Sequence, residues 1–222
     1  MSYGVMAPST VKQQPATILS GKTVGPVVDI SRWRAGAFRT PAGATATSYT
    51  FNVSNTGLVM YPLRDAAGAA ISQTVVANKW FALPPSAFNY KQLQLVPNAA
   101  PGTNQGVFLT GTDGPASWVE IVAPVAVGAA PTITVPLEGA SAGSFLIPAG
   151  WTGATVTFER GAGPGDLSPL VDAANANVTQ AVAADRLLTI PAAAFGASHL
   201  RVVAVSVQAG GGLVRFWLKQ EG

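Results

Sequence analysis

The chain has 222 residues, of which 10% are charged, and a formal net charge of +3. That length accommodates two domains of ordinary size, each long enough to bury its own core. Cysteine is absent, which excludes disulfides and thiolate metal sites. The mean hydropathy is +0.33, yet no apolar run approaches the ~18 residues of a membrane-spanning helix.

Residues 1–15 read as an extended N-terminal arm, polar and without periodicity, with Lys12 as its basic group. Met1–Met6 has neither a basic n-region nor an apolar h-region, so no signal peptide is expected. Next comes Arg32-Trp33-Arg34-Ala35-Gly36-Ala37-Phe38-Arg39, the one local concentration of positive charge with aromatics. Arginine forks and a tryptophan are common interface anchors, so Lys12, Arg32, Trp33, Arg34, Phe38 and Arg39 form the candidate partner-contact set. Two other readings stand beside it. One is base stacking with phosphate contacts. The other is a surface segment with Trp33 and Phe38 packed inward.

Tyr49–Val53, Leu93–Val96 and Val107–Leu109 read as strands, rich in β-branched and aromatic residues. Lys91–Leu95 alternates polar with apolar, as a half-exposed strand does. Between them Asp65-Ala66-Ala67-Gly68 has the chemistry of a hairpin turn: an Asp to accept a backbone N–H, then a residue free to turn left-handed. Pro84 marks the exit from an apolar strand into a crossing loop. Gly111–Ser117 reads as a linker.

Beyond that linker the chain repeats itself. Residues 44–95 align without a gap onto residues 151–202 at an offset of 107, with 16 of 52 positions identical. Thr50-Phe51 returns as Thr157-Phe158, and Leu63 as Leu170. Asp172-Ala173-Ala174-Asn175 repeats the hairpin turn, with Asn in place of Gly, and Asn is among the residues that tolerate the left-handed region best. The repeated core is Phe51/Phe158, Leu63/Leu170, Val75/Val182, Phe88/Phe195 and Leu93/Leu200. Trp80, Trp118, Trp151 and Trp217 are assigned to cores and to the joint between modules. Thr155–Phe158, Arg201–Val207 and Leu213–Leu218 are the further strands. No window of a dozen residues carries a helical period; the Ala-rich stretch 171–184 aligns with one containing Gly68 and reads as a hairpin. The fold class is therefore all-β: two tandem β-sandwich modules, residues 16–112 and 118–222, related by an internal repeat and preceded by the arm.

Charge does not repeat. Up to Pro115 there are eight basic and three acidic residues; after it, five basic and seven acidic. Such polarity suits docking on an acidic surface or head-to-tail packing of copies.

The chemical motifs do not survive their context. Gly139-Ala140-Ser141-Ala142-Gly143 matches a nucleophile elbow, but Phe145-Leu146-Ile147-Pro148 stops the helix that such an elbow needs. His199 is the only histidine and aligns with Gln92, a plain polar residue. Gly161–Gly165 lacks the Lys-Ser/Thr of a phosphate loop, and no acidic calcium-loop spacing occurs. Asn52-Val53-Ser54 and Asn177-Val178-Thr179 fit the glycosylation pattern but are not read as modified. No enzyme activity, cofactor or metal is expected.

Gly150–Arg160, Leu167–Asp172, Leu188–Pro191 and His199–Val202 resemble small β-sandwich modules of tailed-bacteriophage virion proteins. The resemblance covers most of the second module and, more weakly, the first. It implies an accessory structural protein of the particle: a capsid decoration or cement protein, a head fibre or a tail-associated protein. It further implies other virion proteins and copies of itself as partners, and a virion location after assembly in the host cytoplasm. Neither membrane association nor direct nucleic-acid binding is expected. The alternative is a carbohydrate-binding sandwich pair of an adhesin or tail fibre.

Overall fold

Period-two burial marks many of the strands of this protein. In Gln92–Pro97 and Gln105–Asp113 each second residue is buried, the pattern of strands with one face on a core. The structure is a computed structural model and describes residues 10–114, 116–128 and 130–221. Among these residues there are strands and two short 3-10 turns, with no α-helix.

The chain divides into two compact units. One holds the residues up to Pro62 together with Ile71–Ala116; the other holds Leu63–Ala70 and the residues from Ser117 onward. The first unit contains β1 (Thr10–Ile18), β2 (Val27–Asp29), β3 (Trp33–Arg39), β4 (Ser48–Ser54), β5 (Tyr61–Pro62), β6 (Ser72–Thr74) and β7 (Trp80–Ala82). A 3-10 turn at Pro85–Asn89 then leads to β8 (Gln92–Pro97) and β9 (Gln105–Asp113). One sheet has the order β1-β9-β3-β7; the other is β2-β8-β4-β5, with β6 also on β4. Every pairing is antiparallel.

The second unit contains β10 (Ala116–Val125), β11 (Thr132–Pro136), β12 (Ala140–Leu146), β13 (Thr155–Gly163), β14 (Asp166–Pro169), β15 (Thr179–Ala181) and β16 (Leu187–Thr189). A 3-10 turn at Ala192–Gly196 leads to β17 (His199–Ala204) and β18 (Gly212–Glu221). Its sheets are β10-β18-β12-β16 and β11-β17-β13-β14, with β15 on β13. Strand for strand this is the first unit again. The offset of 107 carries Trp33–Arg39 onto Ala140–Leu146 and Gln92–Pro97 onto His199–Ala204. The repeat therefore extends through the β1–β3 and β9 regions, beyond residues 44–95.

The repeated core packs as the sequence predicts. Phe51 and Phe158 are fully buried, as are Leu63 with Leu170 and Leu93 with Leu200. Phe38 meets Phe51 edge-on at 6.0 Å, and Phe145 meets Phe158 edge-on at 6.2 Å, joining the two sheets of each unit through equivalent ring pairs. The one departure is Phe195, half-buried where Phe88 is buried.

The turns also follow their chemistry. Gly68 and Asn175 have φ of 85° and 61°, and each donates its N–H to the carbonyl of the Asp three residues earlier. Asp65 Oδ1 accepts from Ala69 N–H, and Asp172 Oδ1 from Ala174 and Ala176 N–H. Asn78 and Asp185 are a second left-handed pair at the same offset, with φ of 59° and 55°.

Three expectations are corrected. Residues 10–15 belong to β1, not to an arm: Thr10–Ile18 pairs along its full length with β9, because Ala16 and Ile18 face the core. Pro15 fits there because an edge strand needs no N–H on its open side. Residues 1–9 of the predicted arm lie outside the described residues. The predicted linker is mostly strand, since β9 runs to Asp113 and β10 starts at Ala116. Trp80, assigned with the other tryptophans to the cores and the joint between modules, is in no core: it is 48% exposed on β7, whereas Trp151 and Trp217 are buried.

Candidate partner-docking site

The polar end of the first unit is organised by one carboxylate. Asp113 is the last residue of β9 and is buried. Lys12 reaches it from the neighbouring β1, with Nζ 2.9 Å from Oδ2. Arg32 reaches it from the turn before β3, with Nε 3.4 Å from Oδ1. Among the described residues Oδ1 accepts no hydrogen bond, and the Arg32 guanidinium is the charge placed beside it. Asp29 Oδ1 accepts the Ser31 N–H and so fixes the turn that presents Arg32. Together these residues line a cavity of about 100 Å³, with Gln14 on its wall and Trp33 beside Asp113.

Two local features aim these side chains. Asp113 pairs with Trp33 and Thr112 with Ala35, so Arg34 is the extra residue of a β-bulge. The second unit has the same bulge, where Ala140 pairs with Gln220 and Ala142 with Lys219, leaving Ser141 as the extra residue. The other feature is the close approach of Trp33 to Gly111. A Cβ on Gly111 would fall within the indole ring.

The hydrogen bond from Lys12 holds the Asp113 carboxyl below the usual carboxylate range. Burial works against this, while the charges of Arg32 and Lys12 and the Gly114 N–H add to the lowering. Asp113 is thus ionised throughout the neutral range. Both cations remain more than half exposed, with side-chain exposures of 52% for Lys12 and 59% for Arg32. A buried anion tethering two exposed cations presents a positioned basic surface to acidic groups, and Arg32 supplies the forked donor geometry.

The predicted contact set divides. Lys12 and Arg32 converge on Asp113, and Arg34 is exposed beside them at the bulge, lying against Gly114. Trp33 is 2% and Phe38 0% exposed, so neither is a contact anchor. The physical reason is alternation broken by the bulge: Trp33 points in between two outward arginines, and the extra residue Arg34 resets the parity so that Phe38, five residues on, also points in. Arg39 is separate from the cluster. It lies opposite Phe108 and Trp80, and its Nη2 donates to Asn78 Oδ1 at 2.5 Å. Asp113, the residue that organises the site, was missed because Gly111-Thr112-Asp113-Gly114-Pro115 has turn composition. The offset of 107 supplies the missing signal, since it sets these residues beside the apolar run Leu213–Leu218 and its continuation.

In the second unit the equivalents of Lys12, Arg32 and Asp113 are Val119, Gly139 and Gln220. No ion cluster can form there from those residues. Ser141, of the elbow-like pentapeptide, lies in strand β12 and its hydroxyl donates to the Lys219 carbonyl at 3.5 Å. No group of three His, Cys, Asp or Glu residues that could hold a metal ion occurs among the described residues. No helix among them is long and apolar enough to cross a membrane.

No family model matches the chain, and no curated protein does. Among solved structures it is similar to the PBSX exported protein XepA at 11% identity and a TM-score of 0.37, covering 95% of this chain and 86% of that one. It is similar to the allantoicase of Saccharomyces cerevisiae at 9% identity and a TM-score of 0.29, covering 90% and 78%. It is also similar to the Macrobrachium rosenbergii nodavirus structure at 8% identity and a TM-score of 0.24, covering 100% and 93%.

Proposed function

We propose that this chain is a non-enzymatic structural component of a bacteriophage particle, a capsid decoration or accessory protein docked through its basic first unit. The observation that carries the docking surface is the Lys12–Asp113–Arg32 cluster, formed in one unit and replaced by Val119, Gln220 and Gly139 in the other. The scaffold was duplicated and the charged site was not, as expected of a site serving a partner rather than the fold. The particle itself comes from the resemblance of residues 150–202 to virion modules. The excess of basic residues before Pro115 supports an acidic partner surface. Other virion proteins and copies of this chain are the partners in this reading, and the second unit faces outward or meets a neighbour.

The test uses the full chain, tagged at its N-terminus, in cells producing the phage that encodes it. Particles are banded by density and imaged with a tag label. The chain is expected on the particle. Arg34→Glu, which leaves the Asp113 pairs intact, is expected to lower its occupancy, more so at low salt. Absence of the chain from purified particles overturns the reading.

A further inference from the structure

The outer face of the β1-β9-β3-β7 sheet has a composition that neither the core nor the Asp113 cluster accounts for. Its registers place Pro15 opposite Phe108, Phe108 opposite Arg39 and Arg39 opposite Trp80. Directly opposed residues share a face, so these four form one row across all four strands. The inward neighbours confirm the parity: Phe38 and Phe81, adjacent to Arg39 and Trp80, pack together at 5.7 Å. Phe108 is 41% and Trp80 48% exposed. The row thus ends as aromatic, guanidinium, aromatic, with the guanidinium tied to Asn78.

The surroundings of the row are small and uncharged. The next row is Gln13, Thr110, Ala37 and Ala82. Beyond it stand Thr112 and Ala35. Arg39 is the only charged side chain among these positions, and the alanines leave a flat shelf in front of the rings. A single-stranded nucleic acid needs cations along its phosphates, which this face does not offer. A neutral polymer with apolar ring faces and hydroxyl edges fits it. Two inter-strand spacings separate Phe108 from Trp80, about 10 Å in all. An extended β-1,4-linked sugar chain turns the same ring face outward at every second residue, a repeat of that length. The guanidinium between the aromatics retains donors for the hydroxyls of the intervening sugar.

We infer that this face binds an extended, neutral β-1,4-linked glycan, with Phe108 and Trp80 stacking on alternate sugar rings and Arg39 donating hydrogen bonds between them. The second unit carries Arg215, Leu146 and Leu187 at the equivalent positions, so one platform exists per chain. The inference is independent of particle association.

The full chain is run through native gels containing hydroxyethylcellulose, glucomannan or xylan, and titrated with cellohexaose and N,N-acetylated chitohexaose. Retardation by at least one polysaccharide is expected. Trp80→Ala and Phe108→Ala are each expected to weaken binding about tenfold or more, the scale of one lost stacking contact. Arg39→Gln should weaken it less. Both aromatics are substantially exposed, so thermal melting should show all three variants folded. Retention by none of the probes, or retention unchanged in both aromatic variants, overturns the inference. So does binding of an oligothymidylate in place of the glycans, or a change in oligomeric state alone.

Discussion

The indole of Trp33 lies over the backbone of Gly111, closely enough that no Cβ fits between strand β9 and the ring. At the equivalent positions the second unit has Ala140 and Leu218. A large residue on β3 facing glycine on β9 has become a small one on β12 facing leucine on β18, and both cores close. Gly111→Ala is expected to destabilise the first unit by about 1–3 kcal/mol, the usual cost of overpacking. The double variant Trp33→Ala with Gly111→Leu should recover part of the loss of either single change. Urea unfolding followed by tryptophan fluorescence and far-UV circular dichroism measures both.

Asp113 makes stability depend on pH in a defined direction. Its carboxyl is held below the usual range in the folded state, so the folded chain retains the ionised form to lower pH than the unfolded chain does. The stabilisation is fully present above the unfolded value of about 3.9 and is lost as pH falls through the folded value. Asp113→Asn should therefore lower the melting temperature at pH 7. The gap from the parent should hold down to about pH 5 and narrow below about pH 4. A gap that stays constant down to pH 3 contradicts the pairing with Lys12 and Arg32.

The left-handed turn positions discriminate by residue type. Asn175→Gly should change stability by no more than a few tenths of a kcal/mol, because Gly68 already serves the equivalent turn. Asn175→Val should cost about 1–3 kcal/mol, as β-branched residues strain at positive φ. Thermal melts of the two variants against the parent separate these outcomes.

One cross-strand pair records how charge diverged between the units. Asn52 donates to Gln94 at 3.2 Å in the first unit; the same pair in the second is Glu159 with Arg201, which form an ion pair. Arg201→Gln alone should cost up to about 1 kcal/mol, less at high salt. Adding Glu159→Asn recreates the neutral pair and should restore most of the loss. Melting temperatures at low and high salt test the cycle.

The all-β class, the hairpins and the repeated core were legible because each rests on local chemistry: Asp with Gly or Asn at fixed spacing, and apolar residues at period two. Strand β1 was not legible because Lys12-Gln13-Gln14-Pro15 is polar, as an exposed edge strand and a free arm both are. Its pairing with β9 is non-local. Asp113 was hidden for the same reason: its turn-like neighbours disguised a strand end whose partners lie far away in sequence. For Trp33 and Phe38 the inward-packed reading of the segment holds and the contact reading does not, because strand geometry sorts a basic, aromatic segment into two faces. Trp80 shows the converse, an aromatic in an apolar run that faces solvent.

The bulge at Arg34 and Ser141 has a consequence for how such a protein can change. A residue at a bulge has no directly opposed residue in the ladder, so strand pairing does not dictate its side chain. Between the two units that position has passed from a charged side chain to a small hydroxyl with the flanking register intact. It is a site where selection can rewrite the displayed group while the fold stays the same, and the place where new specificity is most easily gained.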